Sequence, residues 1–220
     1  MRERSVSESS SEDGHRETGR LEALSDGVFA IALTLLVLGI HVPAQDELQP
    51  GDTLVDLILG HNHWLSIVTY FISFLTILVM WSNHHSVFRY ITRIDRPFIY
   101  LNGALLLMIV FVNYPTALVA NFIGTSGATT ATAIYSATLV VTAIFFNAHW
   151  LWAATGGRLL ARDADPADVA RITSQYRFGP LLYLAAFGLA FLNPWLSLAL
   201  NAALGVYFAF TGYITSSRAK

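Results

Sequence analysis

The stretch that decides the fold is RLEALSDGVFAIALTLLVL, residues 20 to 38. Charged and polar residues lead directly into an apolar segment that extends to about Val42. Five further apolar stretches follow, and most reach the roughly 20 residues that a helix needs to cross about 30 Å of hydrocarbon. The sequence therefore predicts an all-α membrane protein with six transmembrane helices, over residues 21–42, 63–81, 97–120, 130–154, 178–192 and 195–214.

The last two stretches are separated only by Asn193-Pro194, and the fifth is short. Because an Asn-Pro pair favours a turn, we expect the fifth and sixth helices to form a tight hairpin. A single long, kinked helix over both stretches is the alternative. No internal repeat three helices long is visible, so a symmetric pathway would require several copies of the chain.

The composition agrees with a membrane protein. Of 220 residues, 54% are hydrophobic and 13% are charged, against about 25% charged in a soluble domain. The net charge of −2 gives no basic field for nucleic acid, and the absence of Cys excludes disulfides and thiolate metal sites. Residues 1–18 are Ser-rich and charged, which predicts a disordered cytoplasmic tail before a membrane domain at 19–216 and a cytoplasmic end at 217–220.

The basic residues alternate with the predicted helices. All of them fall at a terminus or in the loops after helices two and four, and the loops after helices one, three and five contain none. Since cytoplasmic loops are enriched in Lys and Arg, both termini are predicted in the cytoplasm, in a multi-pass protein of the inner (plasma) membrane. These residues are Arg2, Arg4, Arg16, Arg20, Arg89, Arg93, Arg96, Arg158, Arg162, Arg171, Arg177, Arg218 and Lys220.

Two loops carry signals of their own. The predicted external loop at 43–62 contains four acidic residues that could concentrate cations and could hold a short helix on the outer surface; a plain solvated loop is the alternative. In the predicted cytoplasmic loop at 156–175, the sequence Asp163-Ala-Asp165-Pro166 is expected to start a short helix.

Polar residues lie at the cytoplasmic threshold of helix one. An unpaired charge at Arg20 or Asp26 would be costly so close to hydrocarbon. Ser25 and Asp26 could simply cap a helix that begins there. Alternatively, the helix begins earlier and neighbouring helices supply partners for Asp26.

Helix two ends with a candidate set of partners, Trp81-Ser-Asn-His84-His85 and then Arg89, at the same predicted depth as Asp26. A carboxylate, an indole N–H, two imidazoles and a guanidinium can satisfy one another there. A metal or haem site at the two histidines is the alternative. Adjacent residues on a helix point about 100° apart, so both would not easily face one ion.

An apolar stripe runs along helix one. At about 100° per residue, Ile31, Thr34, Leu35 and Leu38 share a sector, with Gly27 one turn nearer the cytoplasm. Periodicity alone does not distinguish this stripe from ordinary helix packing.

Three features together resemble a known family. They are Arg20-x-x-x-Leu24-Ser25-Asp26, the apolar run behind it, and Trp-x-x-His-His-x-x-Phe at residues 81–88. The chain resembles the bacterial branch of the lysosomal potassium channel family, transmembrane protein 175, over all six predicted spans. It departs conservatively at Leu24, where the family usually has Phe.

The resemblance implies a homotetramer in lipid, with helix one of each subunit lining a central pore that is permeable to potassium and moderately selective. It implies no Thr-Val-Gly-Tyr-Gly filter, and this sequence contains none. The pore-lining residues would be Ile31, Thr34, Leu35 and Leu38. The anchoring residues would be Arg20, Ser25, Asp26, Trp81, His84 and His85.

Other functions remain open at the level of the residues. A secondary cation transporter would use polar midplane groups such as Asn113-Tyr-Pro115, Asn147 and His149. No nucleophile, base and orienting group occur at one depth, so we expect no enzyme, no cofactor and no resident metal, with monovalent cations as the permeant species.

Proton conduction is a further alternative, because histidines titrate near neutral pH. His41, His61 and His63 are predicted on the external side of the membrane, and His84 and His85 on the cytoplasmic side.

Overall fold

The protein is described by a computed structural model over residues 2–40, 42, 44–47, 50–60 and 63–217. In this part of the chain the secondary structure is helical apart from one isolated β-bridge, so the all-α prediction is confirmed. His41, His61, Arg218 and Lys220 lie outside the described residues. The helices are α1 Arg2–Leu35, α2 Leu54–Gly60, α3 His63–Phe88, α4 Arg96–Phe111, α5 Asn113–Phe122, α6 Ala128–Ala154, α7 Pro166–Arg177, α8 Gly179–Ala190 and α9 Pro194–Ser217.

Four helical segments of the described chain are long and apolar enough to cross a membrane: Arg16–Gly39, Ile67–Phe88, Arg96–Phe122 and Ala128–Gly157. Helix α8 has 12 residues, which at 1.5 Å per residue is about 18 Å and shorter than a hydrocarbon core. Helix α9 is apolar over Pro194–Phe210. The six predicted stretches therefore all appear as helices, and the architecture is compatible with six crossings.

Helices α8 and α9 form the predicted hairpin. The chain turns between Ala190 and Pro194, and the Ser197 hydroxyl donates a hydrogen bond to the Ala186 carbonyl oxygen at 2.7 Å. Ser197 and Ala186 lie at similar distances from the turn along the chain. Their contact therefore requires α8 and α9 to pack antiparallel to each other. The alternative of one long kinked helix is therefore wrong.

The third apolar stretch is interrupted at Val112, between α4 and α5. Pro115 has no backbone N–H to donate to the preceding turn. The Asn113 side chain donates to the Val110 carbonyl oxygen at 2.9 Å. The segment Asn113-Tyr-Pro115, which we considered as part of a transporter site, therefore interrupts the helix at Val112.

Both predicted loop helices are present, with side-chain caps. At α2, Thr53 and Asp56 form a reciprocal capping box: the Asp56 carboxylate accepts from the Thr53 amide at 2.9 Å, and the Asp56 amide donates to the Thr53 hydroxyl at 3.3 Å. The Thr53 hydroxyl also donates to Asp56 Oδ2 at 2.6 Å, and this hydrogen bond, followed by the one from the Thr53 amide, lowers the pKa of Asp56. At α7, the Asp165 carboxylate accepts from the Ala167 amide at 2.8 Å.

The loops after α3 and α6 meet at one end of the bundle. Ile91 and Leu160 form an antiparallel bridge. The Ala161 amide donates to the Tyr90 carbonyl oxygen at 2.8 Å, and the Thr92 amide donates to the Leu159 carbonyl oxygen at 3.0 Å. The two internal segments that carry predicted cytoplasmic arginines are therefore joined directly.

The N-terminal segment differs from our prediction. Helix α1 begins at Arg2, so residues that we expected to be disordered are helical. The expectation rested on low hydrophobicity. A segment without proline that continues an existing helix adds one hydrogen bond per residue without a new nucleation step. The backbone at Gly14 passes close to Thr92: a Cβ at Gly14 would lie 3.3 Å from the Thr92 carbonyl oxygen.

Candidate functional site

Helix α1 has one face that packs inside the subunit. Ser25, Phe29, Ala32 and Leu36 are all buried, and the last three belong to the main hydrophobic core. Because these residues recur every three or four positions, the opposite face of α1 is left uncovered by the described part of the subunit.

That uncovered face carries the predicted stripe. The exposed fractions of Ile31, Leu35 and Leu38 are 57%, 40% and 77%. Thr34 and Gly27 are also exposed. We name Gly27, Ile31, Thr34, Leu35 and Leu38 the α1 stripe. It does not face the interior of its own subunit.

We had assumed that the stripe is α-helical throughout, but the segment that carries Leu38 is not. Residues Leu36–Gly39 form a 3₁₀ turn. In 3₁₀ geometry residues three apart lie on the same side of the helix, so Leu38 falls on the same side as Leu35. The stripe therefore stays aligned at this end even though the period of the helix changes.

Thr34 is the polar member of the stripe. Its hydroxyl donates to the Ile31 carbonyl oxygen at 2.9 Å. Since the proton is used within the helix, the oxygen lone pairs remain free to accept a hydrogen bond or to contact a cation.

Asp26 has a partner on α3. The Trp81 indole Nε1–H donates to Asp26 Oδ1 at 2.9 Å. The Trp81 ring stacks with His85, with centroids 5.9 Å apart. Nδ1 of His85 lies 3.0 Å from Glu22 Oε1 on α1. These contacts join α1 to α3 at two successive turns, and Glu22 is a participant that our sequence analysis did not identify.

A second set of contacts is fully buried. The Asn102 amide Nδ2–H on α4 donates to the Ser25 hydroxyl oxygen at 3.0 Å. Asn102 Oδ1 lies 2.8 Å from His84 Nε2. The Ser25 hydroxyl in turn donates to the Leu21 carbonyl oxygen at 2.8 Å. Helices α1, α3 and α4 are thereby linked through Asn102, which the sequence analysis missed.

Because Asn102 Oδ1 can only accept, His84 Nε2 carries the proton in this arrangement. A further buried histidine, His149 on α6, stacks on His84 with centroids 5.7 Å apart, and on Phe98 at 4.2 Å. We considered His149 only as a transporter residue; the structure places it against the contacts that hold α1.

The two adjacent histidines of α3 point to different surroundings. His84 is buried, whereas the His85 side chain is 49% exposed and pairs with Glu22. They do not converge on one point, so the geometry does not favour a shared metal or haem.

Two further predictions can be placed. Ser25 and Asp26 lie in the middle of α1, so the alternative that they cap its start is wrong. Arg20 is exposed, and no hydrogen bond or ion pair among the described residues joins it to the others. We name Glu22, Ser25, Asp26, Trp81, His84, His85 and Asn102 the anchoring cluster.

Comparison with known proteins gives consistent matches. Residues 20–112, which include the α1 stripe and the anchoring cluster, match the model of the family described as endosomal/lysosomal potassium channel TMEM175. A protein of Chamaesiphon minutus described as a potassium channel is 49% identical over 193 residues, covering 88% of this chain and 94% of that protein. A potassium channel of Streptomyces collinus is 41% identical, covering 88% and 92%.

The fold also matches a solved structure. The crystal structure of a lysosomal potassium-selective channel TMEM175 homolog from Chamaesiphon minutus superposes with a TM-score of 0.81 at 44% identity, covering 90% of this chain and 98% of that one. With relatives of this identity matched over most of its length, the chain belongs to the TMEM175 family of endosomal/lysosomal potassium channels.

Proposed function

We propose that this chain forms a potassium-permeable, moderately selective channel of the bacterial plasma membrane, in which four copies turn the α1 stripe toward a common axis. The observation that carries the proposal is the division of α1 into two faces. One face is fixed by the core and by the anchoring cluster, and the other exposes Ile31, Leu35 and Leu38.

The stripe supplies a hydrophobic neck. Four copies of Ile31, Leu35 and Leu38 would place three rings of branched side chains along the axis, separated by about one helical turn. Water and ions leave a narrow apolar neck, so such rings close a pore by dewetting. A modest tilt or rotation of α1 would widen the neck enough for a hydrated or partly hydrated ion.

Selectivity would then come from partial dehydration. Potassium surrenders its water more readily than sodium, and the free lone pairs of Thr34 could replace one hydration oxygen. The sequence lacks the Thr-Val-Gly-Tyr-Gly filter, so the preference for potassium is expected to be moderate.

The anchoring cluster holds the neck without touching the ion. It fixes the buried side of α1 to α3 and α4 through Asp26–Trp81 and Ser25–Asn102. This attachment lies in the middle of α1, at the cytoplasmic end of its membrane-spanning part, and leaves the far end, with its 3₁₀ turn, as the part that can move.

The orientation follows the positive-inside rule. The direct bridge between Ile91 and Leu160 supports it, since it brings the two Arg-bearing internal loops to one end of the bundle. We place this end, together with both termini, in the cytoplasm.

Potassium flux into liposomes tests the proposal. The full chain is reconstituted, and potassium and sodium fluxes are compared for wild type and Leu35→Ala. Since the smaller side chain widens the neck, we expect a severalfold higher potassium flux and a weaker preference over sodium.

The matched control is Leu181→Ala, an equal truncation at an exposed position of α8. It should leave both fluxes at the wild-type level. No potassium flux in wild type, or identical fluxes in wild type and Leu35→Ala, would contradict the proposal.

A further inference from the structure

The loop after α6 places an arginine on the face of a tryptophan. The guanidinium carbon of Arg158 lies 4.4 Å from the centroid of the Trp152 ring, well within the roughly 6 Å of a cation–π contact. Trp152 is partly buried, whereas Arg158 is exposed. Neither residue belongs to α1, so the pair has no part in the proposed ion pathway.

The backbone after α6 holds Arg158 near this ring. Gly156 and Gly157 have positive φ angles of 66° and 63°, a conformation that residues with a side chain rarely adopt. The two glycines turn the chain back, and the Leu159 amide donates to the Ala153 carbonyl oxygen at 3.2 Å. The loop therefore returns to the last turn of α6 and carries Arg158 with it.

The indole beneath the arginine is fixed as well. Nε1 of Trp152 donates to the Asp95 carboxylate, at 3.0 Å from one oxygen and 3.1 Å from the other. The same carboxylate caps α4 by accepting from the Phe98 amide at 2.9 Å. Hydrogen bonds to an ionised acceptor are among the strong ones. Because α4 thus holds the ring from the side, the ring is a firm support for Arg158.

The hydrogen-bond donors of Arg158 remain unused. A guanidinium carries five N–H donors in its plane, so stacking on the indole covers a face of the group and leaves the donors free. Among the described residues, none accepts a hydrogen bond from Arg158 or forms an ion pair with it. The edge of the guanidinium therefore presents a fork of donors that fits the paired oxygens of a phosphate.

The charges at this place favour a single negative charge on the partner. Arg96, the first residue of α4, directly follows Asp95 and is exposed. Two arginine cations and one carboxylate leave one positive charge. The Asp95 carboxylate already accepts from Trp152 and Phe98, so its charge is partly compensated within the subunit.

The depth of the pair in the membrane identifies the source of the phosphate. Arg158 directly follows the apolar segment Ala128–Gly157, at the level where Trp, Tyr and Arg are enriched beside lipid headgroups. Tyr100, one turn after Arg96 on α4, is exposed. The apolar side chains of Leu151 and Leu107 are exposed farther into the span. A phosphate at this level belongs to a phospholipid whose acyl chains continue along these helices.

We infer that Arg158, stacked on Trp152, binds the phosphodiester of an anionic phospholipid with one negative charge, of the phosphatidylglycerol type. The guanidinium edge donates to the phosphate oxygens, and Arg96 adds positive charge beside it. A zwitterionic lipid carries a cation of its own, which opposes binding at a positive site. The inference does not depend on ion conduction.

Native mass spectrometry of the full chain in detergent tests the inference. The probes are dioleoyl phosphatidylglycerol and dioleoyl phosphatidylcholine, which share their acyl chains and differ in headgroup charge. We expect wild type to bind phosphatidylglycerol severalfold more tightly than phosphatidylcholine. No ion flux enters the measurement, so its result stands even if the proposed channel activity is wrong.

Three variants separate a built site from diffuse charge. Arg158→Gln should lower the affinity for phosphatidylglycerol severalfold and leave phosphatidylcholine unaffected. Arg158→Lys keeps the charge but lacks the planar fork, so it should also bind more weakly than wild type. Gly157→Ala keeps every charge and strains the turn at positive φ, and it should weaken binding too. The matched control is Arg162→Gln, at another exposed arginine of the same loop, which should bind as wild type.

Four results would overturn the inference. Equal affinity for the two lipids would remove the preference for a negative headgroup. An equal loss in Arg158→Gln and Arg162→Gln would show diffuse charge without a site. Wild-type binding by both Arg158→Lys and Gly157→Ala would show that the stacked fork is not used. Full competition by soluble glycerophosphoglycerol would indicate a site for free phosphate esters.

Discussion

At the scale of single residues, the contact between Asp26 and Trp81 shows how a charge is held beside an apolar helix. The indole donates to the carboxylate at 2.9 Å, and both side chains are only partly buried. A hydrogen bond to a charged group contributes more than a neutral one, and an unpaired carboxylate near hydrocarbon is costly. This contact therefore fixes how α1 lies on α3.

Trp81→Phe removes the donor and keeps most of the ring. We expect the free energy of unfolding to fall by about 1.5–3 kcal/mol, the range for losing a hydrogen bond to a charged group. Denaturant unfolding of the purified protein in detergent measures it. Trp195→Phe, at an exposed tryptophan, is the control and should change stability little. Equal stability of Trp81→Phe and wild type would show that the contact does not hold α1.

Part of the cluster could be predicted because matching depth and complementary chemistry brought Asp26 and Trp81 together. Asn102 was missed, although it is one of only two amide side chains in the stretch 97–120 (the other is Asn113), because no rule paired it with Ser25 across helices whose packing was unknown. Arg20 was expected in the cluster on resemblance alone, and it is exposed. A long, flexible side chain on the surface of a helix is readily solvated, so its position in the sequence does not determine which residues it contacts.

At the scale of elements, the loops after α3 and α6 pair with each other and contact α7. Tyr90 Oη donates to the Asp168 carboxylate at 3.2 Å, linking the loop after α3 to α7. Partial burial, and then the neighbouring Asp168 carboxylate, raises the pKa of Tyr90 above its usual value of 10.0. The neutral phenol is therefore the form that the folded state favours.

This shift predicts a pH dependence of stability. A pKa that is raised on folding contributes stability that is complete below pH 10 and is lost as pH rises through the raised pKa. Tyr90→Phe should cost about 0.5–1.5 kcal/mol at pH 8, and the difference from wild type should shrink above pH 10.

Thermal unfolding of both proteins between pH 8 and 11.5 tests this, with Tyr100→Phe as the exposed control. A difference that stays constant over the whole pH range would contradict the role assigned to the phenol.

Elements with explicit boundary signals could be predicted from the sequence. Asp165-Pro166 marked the start of α7, and Asn193-Pro194 marked the turn between α8 and α9. The 3₁₀ turn at Leu36–Gly39 could not be predicted, because its four residues carry no polar or proline signal and the tightening is set by packing against neighbouring helices.

At the scale of the whole molecule, the distribution of arginines agrees with the observed contacts between loops. The sequence predicts that every basic residue lies on one side of the membrane. The bridge between Ile91 and Leu160 joins the two internal loops that carry arginines, those after α3 and α6. The proposed arrangement of four subunits could not be derived from one chain, since symmetry between copies leaves no mark in hydropathy.

The proposed orientation predicts which loops are accessible from outside. The chain has no Cys, so single cysteines can be introduced without background. An impermeant maleimide should label Asp46→Cys in intact cells, and Asp163→Cys only after permeabilisation; both positions are exposed. The reverse pattern would invert the topology.

The most direct test of the central claim is a cysteine scan along α1 in reconstituted protein, with potassium flux measured before and after a small thiol reagent. Our account predicts block at Ile31→Cys, Thr34→Cys, Leu35→Cys and Leu38→Cys, and no block at Phe29→Cys, Ala32→Cys and Leu36→Cys on the buried face. Block at the buried-face positions, or none along the α1 stripe, would contradict it.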